Sequence, residues 1–170
     1  YPGRATRKTL LAYLDSDSYR NQLAFASIRS IRTIDDPSYI GPVQKVLETR
    51  EAAFRTWGFG RGLDALAYLA RDEDKKDRVR TFLVGYLEHP KEEVRRWAII
   101  ALGTLKDPRA IPLVSTFTGG GKNKNRIQRA ARDALKSLRE ARKVTVPWSP
   151  TGAGASNIAS PSKRVAWAKA

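Results

Sequence analysis

The densest reactive chemistry in this chain is cationic. Gly119-Gly-Gly-Lys122-Asn-Lys124-Asn-Arg126 is a glycine turn ringed by basic side chains and feeding a helix start. Free backbone N–H groups in such a turn, with Gly120, Gly121, Lys122, Lys124 and Arg126 around them, make a candidate receptor for phosphate, sulfate or carboxylate. It is not a P-loop, because Gly-x-x-x-x-Gly-Lys-Ser/Thr is not met. Immediately after it, Arg129, Arg132, Lys136 and Arg139 recur at three and four spacing and so form one stripe on a helix. A stripe of one sign attracts nucleic acid, acidic peptide or a membrane surface. A terminal repeat also needs a polar outer face for solubility, but that requirement explains the polarity and not its sign.

Other groups point to structure rather than chemistry. His89 is the single histidine, and it stands just before Pro90 at the end of a short helix, where it suits the helix C-terminus or a loop. General-base work would need a partner and a pocket that the sequence does not show. Asp72, Glu73, Asp74 and Asp77 could hold a hard cation, yet they lack the spaced ligands of a calcium loop and precede a helix, where acids act as caps. The glycines at 58, 60 and 62 have neither the spacing nor the leading strand of a dinucleotide fingerprint, and are read as shaping a helix start. With no cysteine and no methionine, thiolate metal sites, disulfides and thiol nucleophiles are excluded.

The chain of 170 residues carries 32 Lys and Arg against 17 Asp and Glu, a net charge of +15. Residues 119–143 hold nine basic and two acidic side chains, and the tail from 144 onward holds Lys163, Arg164 and Lys169 with no acid. Hydrophobic residues make up 41%, enough for a core and too many for a disordered chain. No apolar run approaches the roughly 20 residues that span a bilayer. The start at Tyr1 in a chain without methionine reads as a fragment or a processed product. Compartment is left unassigned.

An internal repeat must position these groups. Val94 to Leu105 overlays Ile127 to Leu138, with Ala98, Ala101, Leu102 and Leu105 matching Ala131, Ala134, Leu135 and Leu138. Ala65, Leu66 and Leu69 fall on Ala101, Leu102 and Leu105, and Leu23, Ser27, Ile31 and Ile34 fall on Val94, Ala98, Leu102 and Leu105. The unit is about 35 residues, within the range of helical repeats. Its matched positions share one helix face. Asp36-Pro37 and Asp107-Pro108 mark turns in which Asp caps and Pro opens the next helix. Helices are expected over 6–14, 19–34, 38–48, 54–70, 75–88, 92–105, 110–117 and 125–141. Paired in order, they give an all-α, HEAT-like α-solenoid of four antiparallel hairpins over 1–143. A flexible basic tail rich in Pro, Gly, Ala and Ser is expected over 144–170.

Glu88 to Leu113 resembles a HEAT repeat of the phycobilisome-lyase type. The order Gly60 to Ala70, then that repeat, then Arg126 to Leu135 resembles the C-terminal helical domain of bacterial gluzincin zinc aminopeptidases, the membrane alanyl aminopeptidase family. The resemblance implies a non-catalytic accessory domain that closes a peptide chamber and offers basic groups to the far carboxylate of a peptide substrate. That family's His-Glu-x-x-His and Gly-x-Met-Glu-Asn motifs are absent, so catalysis and its zinc are expected upstream, in a catalytic domain that is this chain's partner, and no cofactor is expected here. The alternative is a basic HEAT scaffold for nucleic acid or an acidic protein. Some HEAT-like proteins are DNA glycosylases, but the sequence shows no Trp and Asp constellation on one face.

Overall fold

The computed structural model describes residues 3–119 and 126–145. Eight helices are present among them: α1 (Arg4–Asp15), α2 (Gln22–Ile34), α3 (Ile40–Thr49), α4 (Thr56–Ala70), α5 (Asp77–Val84), α6 (Glu92–Leu105), α7 (Ile111–Ser115) and α8 (Arg126–Thr145). Consecutive helices form four hairpins, and α2, α4, α6 and α8 pack on one another in sequence as one continuous layer. The expected all-α solenoid is what the chain builds.

The repeat positions fill the core. Ala98, Ala101, Leu102 and Leu105 and their counterparts Ala131, Ala134, Leu135 and Leu138 are all buried, as are Ala65, Leu66 and Leu69. Leu23 departs from the pattern: it is 41% exposed, and Ala24, Ile28 and Ile31 make the core face of α2. Arg20 and Asn21 cause the offset, because both adopt the left-handed conformation at φ 53° and 51° and restart the helix at Gln22.

The short helices are shorter than their periodicity suggests. α5 ends at Val84 rather than at 88, and α7 keeps five residues between two 3-10 turns, Pro108–Ala110 and Thr116–Thr118. Single 3-10 turns repeat at i, i+3 and so mimic the apolar spacing of an α-helix. α8 runs on to Thr145.

Glycine serves approach between helices, not helix starts. Gly58, Gly60 and Gly62 lie inside α4, and a Cβ on Gly60 would stand 2.1 Å from the Trp97 ring on α6. One on Gly103 of α6 would meet the backbone of Ala134 on α8 at 2.7 Å. Side-chain bonds also join helices: Ser27 Oγ on α2 donates to the Leu10 carbonyl of α1, and Ser137 Oγ on α8 to the Gly103 carbonyl of α6.

Charged ladders lock the turns. The Asp36 and Asp107 carboxylates accept from the backbone N–H of Ser38 and Arg109, capping turns opened by proline as their spacing requires. Asp107 is buried and is gripped by Arg80 at 2.6 Å and Arg109 at 3.0 Å. Burial alone would raise its pKa, but the hydrogen bonds from Arg109 and Arg80 prevail and hold it below the usual carboxylate range. Asp35 and Asp77 are also lowered, chiefly by hydrogen bonds from Arg71 and Arg80 respectively. A depressed folded pKa gives stability that is complete above the unfolded value, about 4, and is lost as pH falls through the folded one. Thermal melts are therefore expected to hold steady down to about pH 5 and to fall below about pH 4. Asp107→Ala should cost about 3 kcal/mol at neutral pH, since it removes the cap of the Arg109 N–H and the buried partner of Arg80, which keeps only the exposed Asp77. An Asp107→Ala melt matching the parent at pH 7 would contradict this ladder.

Candidate functional site

The continuous layer exposes one face built from the same positions of each repeat. Arg61 on α4 and Trp97 on α6 are equivalent residues, as are Trp57, Glu93 and Arg126, or Tyr68, Thr104 and Ser137, and Phe25 on α2 stands beside Trp57. Because these recur at i, i+4, i+7 and i+11 along their helices, each helix contributes one polar and aromatic stripe.

Neighbouring stripes interlock. The rings of Phe25 and Trp57 lie 5.2 Å apart, and the Arg61 guanidinium sits over Trp57 at 5.6 Å and over Trp97 at 5.7 Å. Trp57 is 53% exposed whereas Trp97 is 8% exposed, so Arg61 rests between a buried and a solvent-facing indole. Cations at this range gain from the ring quadrupole and lose side-chain freedom. Gly60 makes the arrangement feasible, since any side chain there would displace Trp97.

Carboxylates orient the arginines around it. Arg71 lies over Tyr68 at 3.8 Å and makes two bonds to Asp35, at 2.7 and 2.6 Å, which raise its pKa and keep it cationic. Arg96 pairs with Glu93, whose other contact is the indole N–H of Trp97 at 3.1 Å. Glu93 is held below its ordinary pKa, first by the Arg96 hydrogen bond, with burial opposing it and Arg126 adding a distant positive charge. Asp64, 9% exposed, accepts from the Thr104 hydroxyl at 2.7 Å and faces Arg32 at 3.5 Å. Among the described residues, Arg61 has no carboxylate partner.

Between α6 and α8 the face opens into a groove of about 800 Å³, bordered by Arg71, Arg96, Lys106, Arg126 and Arg129. The basic stripe expected on α8 thus divides. Arg126 and Arg129 border the groove, while Arg132, Lys136 and Arg139 are exposed on the terminal side of the helix. Gly120, Gly121, Lys122 and Lys124 lie outside the described residues, and so do Lys163, Arg164 and Lys169.

The remaining candidates are tied into the scaffold. His89 Nδ1 accepts from the Lys91 N–H at 3.1 Å, so Nε2 carries the proton and donates to Glu51 at 2.9 Å. The histidine thereby joins the turn after α3 to the turn before α6. Tyr86, beside it, has its phenol pushed up to about 12 by burial and by the negative charge of Glu51. Asp72 pairs with Arg71, and Asp77 pairs with Arg80 and Arg109. Asp77 opens the first turn of α5, and Lys76 takes the cap position expected for an acid. Among the described residues, no group of three His, Asp or Glu is placed to hold a metal ion, and no helix is long and apolar enough to cross a membrane.

Residues 60–136 match the family of HEAT repeats. The chain carries a HEAT-like repeat domain. No curated protein matches it. In this HEAT-like domain the sequence reading missed the aromatic and arginine face, although the repeat register that aligned Ala65 with Ala101 also aligns Arg61 with Trp97. A Trp and Asp constellation does exist: Trp57, Asp64 and Trp97 share the face. Asp64 is occupied there in joining α4 to α6.

Proposed function

We propose that this chain is a non-catalytic HEAT-like scaffold that docks an anionic protein surface on the exposed face of α2, α4, α6 and α8. The observation that carries this is Arg61, a guanidinium set between two indoles without a carboxylate of its own. A fixed planar fork of donors is suited to carboxylates, and the arginines on either side extend the same preference along the face.

The finer proposal follows the residue resemblance: the scaffold is the C-terminal domain of a zinc metalloaminopeptidase, shaping its peptide chamber and substrate access. Zinc would then be held by the upstream catalytic domain, and this chain's part is to receive the acidic groups of the peptide and of that domain. A second reading, nucleic acid, is favoured by the net charge of +15 and by the exposed ring of Trp57 among arginines.

Binding of labelled polyglutamate, followed by anisotropy across a salt series, tests the docking face. Arg61→Glu is expected to weaken binding at low salt by about tenfold, or about 1.4 kcal/mol. Unchanged binding would contradict it. In the parent polypeptide, the same substitution should slow long acidic peptides and spare small aminoacyl chromogenic substrates; equal loss on both would sink the peptidase placement.

A further inference from the structure

We propose that the groove between α6 and α8 seats a short acidic protein segment that carries a bulky apolar anchor. This rests on the docking face proposed above and names the chemistry of its occupant. The floor is apolar and backbone-close: Gly103 lets α6 meet Ala134 on α8, and Ile100 and Ala130 complete it. The rim is cationic, and Lys106 and Arg129 stand on it without carboxylate partners among the described residues. A volume of about 800 Å³ lies in the range of ligand sites and is larger than one side chain.

Charge decides between occupants. The chain's own tail is excluded, since residues 144–170 hold three basic groups and no acid, and a second copy brings another +15. A nucleic acid would bring phosphates along its whole length and would set one against exposed Asp133, which borders the same groove. A polypeptide can place a neutral or basic residue there and acids against Lys106 and Arg129. It can also bury an aliphatic side chain on Ile100, Ala130 and Ala134, which a sugar-phosphate backbone cannot do.

The test uses three labelled probes on the whole chain: an acidic peptide of about twelve residues with two central leucines, the same peptide with serines in their place, and an oligothymidine. The leucine peptide should bind about tenfold tighter than the serine peptide, as expected for burying one to two aliphatic side chains. Arg129→Gln with Lys106→Gln should weaken both peptides about tenfold, and these exposed positions leave the fold intact. Ile100→Ser should erase the preference for leucine, with circular dichroism checking the helices. Equal binding of the two peptides, still sensitive to Arg61→Glu, would overturn the groove assignment and leave the docking face standing. Indifference to Arg61→Glu as well would overturn both. Oligothymidine binding tighter than either peptide would overturn the protein segment as occupant.

Discussion

Ala101→Arg is expected to unfold the domain. Ala101 is fully buried on α6, the helix that packs on both α4 and α8, and its counterpart in the next repeat is the buried Ala134. An arginine there puts a charge and a long side chain where only a methyl fits. The cost of an unpaired buried charge with overpacking exceeds about 4 kcal/mol, against a total stability of about 5–15 kcal/mol for a domain. Circular dichroism should show helix loss at 25 °C or a midpoint lower by more than about 10 °C. A variant that melts with the parent would mean that the even helices do not stack as described.

Gly60→Ala should also destabilise, by less, and for a reason that joins fold to function. Alanine is the better helix former by about 1 kcal/mol, so an isolated α4 would gain. In the stack the new methyl would stand 2.1 Å from the Trp97 ring, and the indole must leave its place. With it go the Trp97 N–H bond to Glu93 and one side of the Arg61 clamp. Overpacking of this kind costs about 2–3 kcal/mol, which outweighs the propensity gain. Melts should show a net loss, and polyglutamate affinity should fall about tenfold. Adding Trp97→Val should restore stability without restoring affinity, because space returns and the ring does not. Recovery of both would show that the Arg61 clamp is unimportant.

These two glycine and alanine sites show how far the sequence could be read. The core was legible because apolar residues at i, i+4, i+7 and i+8 leave one side to bury, and Val94 to Leu105 against Ile127 to Leu138 gave the repeat twice over. Helix ends were less so: Pro37 and Pro108 open 3-10 turns whose spacing overlaps that of an α-helix, and α2 is delayed by two left-handed residues that no glycine announced. Lys106 closes α6 at φ 54° in the same unannounced way. The cations of α8 were legible as a stripe within one helix. The aromatic face was harder to see, since it is assembled across repeats: Trp57, Arg61 and Tyr68 come from α4, and Arg61 gains meaning only when Trp97 of α6 arrives beside it. Gly60 was misread for the same reason: its purpose lies on the neighbouring helix.

Two triple variants of equal charge change separate the docking face from general basicity. Arg29→Glu, at the α2 arginine that lies over the Phe25 ring at 6.0 Å, with Arg61→Glu and Arg129→Glu alters the exposed face of the even helices, and Arg132→Glu, Lys136→Glu and Arg139→Glu alter the terminal side of α8. Both lower the net charge by the same amount, so long-range attraction falls equally. Polyglutamate affinity at fixed low salt is the measurement. The face variant is expected to lose about thirtyfold, roughly 2 kcal/mol, and the terminal variant less than about threefold. Equal losses, or a greater loss from the terminal variant, would contradict the assignment of docking to this face.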